Sequence, residues 1–266
     1  MYNGQYFYMK TKIIFIFILS LVINFSAEAQ FENINVKFGD HTFKTTYDTG
    51  KYETTLRILK NDKTVFKNVY EERIADIKEY DLNNDGNREI LIEMYSGGAH
   101  CCTSLYLGRF IKDKFIFTDT VFWGNSYYSV EDLDKDGKLE ISGSSDMFAY
   151  AFTNYAETKF PLMIYRYNGS KFVNVTSDYK QMINNQLEEF RHELRESYDT
   201  GFKCMEIDED TFNTEAGSVK ILLAVIVADY YLLGEVNKGY ELVDSVYKCP
   251  DKEKYKEILQ TDFKLK

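Results

Sequence analysis

One nine-residue pattern occurs twice in the chain and constrains its fold more than any other feature. The copies are DLNNDGNRE at residues 81–89 and DLDKDGKLE at residues 132–140, and they start 51 residues apart. Each copy leads into strand-like residues, which are followed by a second strand-like stretch, a tight turn and a third such stretch. Units of this length are typical of propeller blades and similar arrays. The pattern therefore predicts repeated antiparallel β structure around two acidic loops.

The side chains of the two loops indicate a cation site. Oxygen atoms at positions 1, 3 and 5 converge when a loop wraps a cation, the position-7 carbonyl closes the ring, and glycine at position 6 allows the sharp turn. The predicted ligands of the first loop are Asp81, Asn83, Asp85, the carbonyl of Asn87 and Glu89. The predicted ligands of the second loop are Asp132, Asp134, Asp136, the carbonyl of Lys138 and Glu140. Because these are hard oxygen ligands, we predict Ca²⁺ as a structural cofactor rather than zinc, copper or magnesium.

The residues after each loop separate it from an EF-hand. An EF-hand needs glutamate at position 12 and a following helix, whereas these loops have Ile92 and Gly143 there and reach glutamate at position 9. A loop that ends at position 9 and runs into a strand resembles the FG-GAP or VCBS-type repeat of integrin-like β-propellers. The resemblance covers residues 74–175. It implies calcium bound in β-hairpin loops, within an incomplete propeller, because two copies are too few to close one.

An ordinary polar turn is the alternative to a metal site, because Asn, Asp and Gly are turn formers in any case. The matching ligand positions and strand exits of the two copies favour metal binding. The second loop has four carboxylates and the first has three, so we expect the second loop to bind calcium more tightly. Without the metal these carboxylates repel one another, and calcium is therefore expected to stabilise the fold.

The chain ahead of the repeats has the layout of a secretory signal peptide at residues 1–29. Two lysines precede an apolar run at residues 13–23, and Ala27 and Ala29 supply the small residues of a cleavage site. A membrane anchor is the alternative, but as a helix this run is only about 16 Å long against a hydrocarbon core of about 30 Å. We predict cleavage after Ala29, no membrane span afterwards, and a secreted or periplasmic protein.

Behind the signal peptide the hydrophobic pattern changes once, which predicts an α+β fold divided by segment. Residues 30–176 contain alternating runs separated by turn signals, as expected of an antiparallel β repeat domain, and residues 31–70 are predicted to be β structure without metal. Residues 177–266 have apolar residues at helical steps and predict a small α-helical domain of about four helices. Residues 221–228 are apolar throughout and are expected to form the buried centre of a helix.

Four cysteines in an exported chain are expected to pair, with three possible connectivities. We favour Cys204–Cys249 within the helical domain, together with a bond between the neighbours Cys101 and Cys102. The alternative joins the two domains through two bridges. His100 beside Cys101 suggests zinc, but neighbouring strand residues point to opposite faces, so a structural role is favoured over a metal or redox site.

Composition excludes some function classes. The net charge of −10 repels phosphate backbones and suits cations, so nucleic acid is not an expected partner. The sequence has no nucleophile elbow, phosphate-binding glycine loop or zinc-protease motif. We predict a non-catalytic binding or scaffold module; the alternative is an envelope or polysaccharide hydrolase that uses carboxylates near calcium. The abundant tyrosines and Trp123 suggest a surface for a carbohydrate or protein partner, with ordinary strand packing as the alternative.

Overall fold

The computed structural model describes residues 33–98, 101–205 and 212–266. The predicted signal peptide and His100 lie outside these residues. The β and α segments belong to one structural unit, Asn33–Lys266. In the described part of the chain, no helix is both long and apolar enough to cross a membrane.

The described strands form three antiparallel sheets, each built from four strands that are consecutive in the chain. The N-terminal sheet consists of β1 (Asn35–Phe38), β2 (His41–Asp48), β3 (Glu53–Lys60) and β4 (Lys63–Tyr70). The first repeat sheet consists of β5 (Arg73–Tyr80), β6 (Glu89–Tyr95), β7 (Thr103–Ile111) and β8 (Lys114–Gly124). The second repeat sheet consists of β9 (Tyr128–Glu131), β10 (Glu140–Ser144), β11 (Leu162–Tyr167) and β12 (Phe172–Asn174).

The two repeat sheets have the order of elements that the sequence predicts. In each, an acidic loop is followed by two paired strands, a tight turn and a last strand. The N-terminal sheet is also a four-stranded meander, but only Gly39 and Asp40 separate β1 from β2, where the repeat sheets have the acidic loop. The predicted β structure in this stretch, without an acidic loop, is therefore confirmed.

The first repeat sheet lies between the other two sheets. Ile90 and Ile92 of β6 belong to a buried cluster with Phe43 of the N-terminal sheet. Leu91 belongs to a second buried cluster, with Ile141 of the second repeat sheet. Successive strand residues point to opposite faces, so β6 is buried on both sides, and this explains its continuous apolar sequence.

Four described helices follow the sheets: α1 (Lys180–Asp199), α2 (Glu215–Leu232), α3 (Val236–Val246) and α4 (Lys252–Thr261). The α+β division by segment is therefore confirmed. Thr214 caps α2 by accepting the amide of Gly217 at 3.1 Å. Residues 221–228 of α2 are all buried, as the sequence predicts, because other elements pack around the whole circumference of this helix.

The helices pack on the second repeat sheet. Phe148 and Phe152, from the segment between β10 and β11, belong to the hydrophobic cluster of the helices. The side chain of Gln186 on α1 accepts the amide of Leu162 on β11 at 2.8 Å. These contacts fix the position of the helices against the second repeat sheet.

The cysteines form two pairs in the structure. Cys204 pairs with Cys249, with Cα atoms 5.2 Å apart, and this bond joins the chain after α1 to the chain before α4. Cys101 pairs with its neighbour Cys102 just before β7. Neither pair links the β strands to the helices.

Candidate metal centre

The two acidic loops connect equivalent strands of the two repeat sheets. The first loop joins β5 to β6, and the second joins β9 to β10. Glu89 is the first residue of β6 and Glu140 is the first residue of β10. A strand therefore follows each loop, in place of the helix that an EF-hand requires.

The backbone follows the same path through both loops. At position 4 the φ angle is 57° for Asn84 and 62° for Lys135, and at position 6 it is 84° for Gly86 and 86° for Gly137. Positive φ at position 6 is a conformation that glycine adopts without steric cost. The glycine in the motif is therefore required by the turn itself.

The first aspartate of each loop accepts hydrogen bonds from the backbone that wraps around it. Asp81 accepts the amides of Asp85 and Gly86, both at 3.0 Å. Asp132 accepts the amides of Asp136 at 3.1 Å and Gly137 at 3.0 Å. These bonds turn the chain around the carboxylate and bring the later side chains towards it.

The glutamates at position 9 are buried beneath the loops. Glu89 is 3% exposed and accepts the amide of Leu82 at 3.2 Å, while Glu140 is 0% exposed and accepts the amide of Leu133 at 3.0 Å. Burial raises the pKa of Glu89, and the nearby carboxylates of Asp85 and Asp81 raise it further. A cation in the loop would favour the ionised form of this carboxyl group.

The side-chain oxygens of the second loop converge. One carboxylate oxygen each from Asp132, Asp134 and Asp136 lies within 4.8 Å of the others. Ligands that bind one Ca²⁺ at about 2.3–2.6 Å lie within such distances of each other. The structure therefore brings together three of the predicted ligands in a group that can hold one metal ion.

The first loop has a buried and unsatisfied side-chain oxygen at one of the predicted ligand positions. Asn83 occupies position 3, where its Oδ1 is buried and has no hydrogen-bond partner among the described residues. Its Nδ2 donates to Asp85 Oδ2 at 3.0 Å, which fixes the orientation of the amide. A buried acceptor without a partner is unfavourable, and a bound cation would satisfy it.

The residues at position 7 contact the loops through their backbone. The amide of Asn87 donates to Asp85, and the amide of Lys138 donates to Asp136, each at 2.8 Å. These bonds lower the pKa of Asp85 and Asp136 and keep both carboxylates ionised. The predicted role of the Asn87 and Lys138 carbonyls as metal ligands stays a prediction.

The two loops are neighbours. The amide of Leu139, at the end of the second loop, donates to the carbonyl of Leu82 in the first loop at 2.9 Å. A Cβ atom at Gly137 would lie 2.9 Å from the side-chain amide nitrogen of Asn84. Repeat sheets stacked face to face thus place their acidic loops side by side at one end of the stack.

Arg166 of β11 lies against the second loop, and the sequence reasoning did not identify it. Its Nε donates to Glu140 Oε1 at 2.6 Å, and its Nη2 donates to Asp134 Oδ2 at 2.7 Å. The same Nη2 donates to the hydroxyl of Tyr179 at 2.8 Å. The second loop has one carboxylate more than the first, and the positive charge of Arg166 offsets that additional negative charge. The number of carboxylates therefore no longer predicts that the second loop binds calcium more tightly than the first.

A signal for Arg166 exists in the repeat itself. Arg109 lies near the end of β7, the strand of the first repeat sheet that corresponds to β11. Its guanidinium, however, donates to the hydroxyl of Tyr167 at 3.2 Å and to the carbonyl of Gly169 at 2.9 Å, both in the second repeat sheet or its turn. Each arginine therefore bonds a tyrosine outside its own sheet, Tyr167 in the second repeat sheet and Tyr179 at the start of α1, and of the two only Arg166 also binds its own acidic loop.

Replacing Arg166 with methionine is expected to destabilise the calcium-free protein by about 2–3 kcal/mol, at least as much as the loss of the carboxylate itself. The change leaves the buried Glu140 carboxylate without its cationic partner, so calcium should then raise the melting temperature more than it does in the unmodified protein. Melting curves with calcium and with chelator measure both effects. Arg109→Met is the matched control, because it removes an arginine that does not contact a loop carboxylate. An unchanged or smaller calcium response in Arg166→Met would contradict this account.

The structure corrects one suggestion from the sequence. Trp123 is 0% exposed and packs in the core between the two repeat sheets, stacked on Tyr128 with ring centroids 5.5 Å apart. It therefore does not contribute to a partner-binding surface, and ordinary strand packing is its role.

Comparison with known proteins gives distant matches. The chain is 25% identical over 160 residues to a probable thylakoid lumen protein of Synechocystis sp.. The match covers 59% of this chain and 43% of that protein. The chain is also 24% identical over 87 residues to an uncharacterised protein of Sinorhizobium fredii. This match covers 33% of this chain and 14% of that protein. The matched regions span less than half the length of either relative. No family model and no solved structure matches the chain.

Proposed function

We propose that this chain is an exported calcium-binding β-repeat protein that acts as a non-catalytic binding or scaffold module. The observation that carries the proposal is the agreement between the two loops. Both have the same backbone turn, the same wrapped first aspartate and the same buried glutamate. Burial of a carboxylate is unfavourable without a compensating charge, and Glu89, unlike Glu140 with its partner Arg166, has no ion pair among the described residues.

The residues of both loops fit a calcium ion. In the second loop Asp132, Asp134 and Asp136 would hold it, with Glu140 beneath them. In the first loop the unsatisfied oxygen of Asn83 would be a ligand, together with Asp81, Asp85 and Glu89. A bound Ca²⁺ supplies two positive charges, which offset the repulsion among these carboxylates.

The loop geometry also supports a relation to FG-GAP or VCBS-type repeats. Three stacked four-stranded sheets agree with an incomplete propeller. The helices lie on the second repeat sheet, on the side where a further blade would stack. We propose that calcium holds the loop ends of the repeat sheets together, so that the other ends form a rigid surface for a protein or carbohydrate partner.

Export is supported by three observations. The first 29 residues have the layout of a secretory signal with cleavage after Ala29. Paired cysteines are typical of oxidising compartments. One distant relative is named a probable thylakoid lumen protein. We propose that the chain is secreted or periplasmic.

Melting curves with calcium and with chelator test the proposal. Calcium at about ten times its dissociation constant should add about 1.4 kcal/mol for each site, because it binds only the folded chain. For a chain of this size that corresponds to an increase of roughly 3–6 °C in melting temperature per site. Magnesium at the same concentration is the control and should give a smaller shift. Curves that overlay with calcium and with chelator would show that the loops are ordinary polar turns.

A further inference from the structure

A cleft of about 480 Å³ lies at the end of the repeat sheets that is remote from the acidic loops. β6 starts at Glu89 in the first loop and ends at Tyr95 in the cleft, and β10 starts at Glu140 in the second loop and ends at Ser144 in the cleft. The other walls come from the turn between β8 and β9 and from the segment between β10 and β11. A volume of this size is typical of a small-ligand site.

Aromatic rings line much of the cleft. Tyr127 is 94% exposed, so its ring is available to a ligand. Tyr155 and Phe160 form another wall, with ring centroids 5.4 Å apart, and Tyr150 extends this row at 5.6 Å from Tyr155. Rings at these positions offer flat apolar surfaces on which a ligand with an apolar face can stack.

Uncharged hydrogen-bonding groups complete the lining. They are the hydroxyls of Thr103, Ser126 and Ser144, the amide of Asn125 and the tyrosine hydroxyls. None of the nine residues that line the cleft in the described chain carries a charge. Anionic ligands are usually bound by arginine or lysine, so this lining disfavours an anionic ligand.

Local hydrogen bonds hold the walls of the cleft in place. Gly124 has a φ of 59°, and a Cβ there would lie 2.0 Å from Asp146 Oδ2, so only glycine fits this position. The amide of Ser126 donates to the carbonyl of Trp123 at 3.0 Å, which closes the turn after β8. The amide of Ser145 donates to the carbonyl of Pro161 at 2.8 Å, which closes the base of the segment between β10 and β11. The cleft is thus preformed, which lowers the entropic cost of binding.

From these observations we infer that the cleft binds a neutral saccharide unit of a glycan chain. A sugar ring has an apolar face of C–H groups that stacks on aromatic rings, and hydroxyl groups that bond to serine, threonine and asparagine side chains. The inference rests on the proposed binding role and names its ligand class, but it does not depend on calcium. β6 alone places the cleft about 20 Å from the first loop.

Titration calorimetry of the purified chain against a panel of oligosaccharides tests the inference. The panel contains neutral hexamers of glucose, mannose, galactose and N-acetylglucosamine, and a hexamer of galacturonate as the charged comparison. At least one neutral hexamer should bind with a dissociation constant below about 1 mM, and galacturonate should bind at least tenfold more weakly. Tyr127→Asn should weaken that binding by about tenfold, since it removes one stacking surface.

Tyr52→Asn is the matched control, because Tyr52 is a 70% exposed tyrosine on the turn between β2 and β3 and lies outside the cleft. It should leave the saccharide affinity unchanged. The inference is overturned if no neutral hexamer binds, if Tyr127→Asn and Tyr52→Asn have equal effects, or if a mixture of unmodified hexapeptides is the ligand that depends on Tyr127. Calcium binding is tested separately, by melting curves. If no saccharide binds in the calorimeter, the proposal that the loops bind calcium is therefore not affected.

Discussion

Replacing Asp229 with asparagine is expected to raise the free energy of unfolding at pH 8 by roughly 3–5 kcal/mol. Asp229 lies on α2, is 0% exposed, and has no hydrogen-bond partner for either carboxylate oxygen among the described residues. Burial raises the pKa of Asp229 to about 8. Asparagine has the same shape without the charge, so it removes the cost of a buried carboxylate.

The same pKa predicts a pH dependence with a definite sign. In the unfolded chain Asp229 ionises near pH 4, whereas in the folded chain it keeps its proton up to a pKa of about 8. Between these values the folded state binds one more proton, so the contribution of this residue to stability falls as the pH rises and is constant above about pH 8. Asp229→Asn should abolish this part of the pH dependence.

Chemical denaturation between pH 4 and pH 9 measures this effect, with about equal stability of the two proteins expected near pH 4 and the largest difference above pH 8. The control is Asp199→Asn, at the exposed end of α1. It should change the stability by less than about 0.5 kcal/mol at every pH. A lower stability of Asp229→Asn at pH 8 would contradict this prediction, because it would mean that the Asp229 carboxylate is stabilised by a bonding partner in the folded chain.

Replacing Glu140 with glutamine is the second change with a large expected effect. We expect the calcium-free chain to lose about 2–3 kcal/mol of unfolding free energy, because the ion pair between Arg166 and a fully buried carboxylate is replaced by a bond from the guanidinium to a neutral amide oxygen. Glutamine also keeps the shape of the side chain, so a large loss reports the charge rather than the packing. The second loop should bind calcium at least tenfold more weakly.

Glu89→Gln is the matched comparison in the first loop. Burial already raises the pKa of Glu89, so a neutral side chain there should cost the calcium-free chain less than about 1 kcal/mol. Both variants should weaken calcium binding at one loop each, but only Glu140→Gln should lower the melting temperature in chelator by several degrees. Equal losses of stability in chelator would contradict the role given to Arg166.

The loops could be predicted from the sequence because their geometry is local. Each places its predicted ligands, its glycine and its closing glutamate within nine consecutive residues, so spacing alone identifies the loops. The buried centre of α2 could also be predicted from the sequence, because residues 221–228 are all apolar. Both features depend on neighbours along the chain and not on distant pairing.

Arg166 could not be predicted in the same way. Its contact with Glu140 depends on the register of β10 and β11, which pairs these two residues across the long segment that separates the strands. Trp123 was ambiguous because its neighbour Phe122 is also a large aromatic residue, so the sequence does not tell which of the two faces the core; Phe122 is 59% exposed and Trp123 is buried. The cleft combines residues from five separate parts of the chain, and only the fold brings them together.

The central claim is that the two acidic loops hold calcium, and counting the bound ions tests it most directly. The purified chain is treated with chelator, exchanged into calcium-free buffer and titrated with calcium in a calorimeter. We predict two Ca²⁺ ions per chain, with one site weakened in Glu89→Gln and the other weakened in Glu140→Gln. A chain that binds no calcium, or that binds it unchanged in both variants, would contradict the claim.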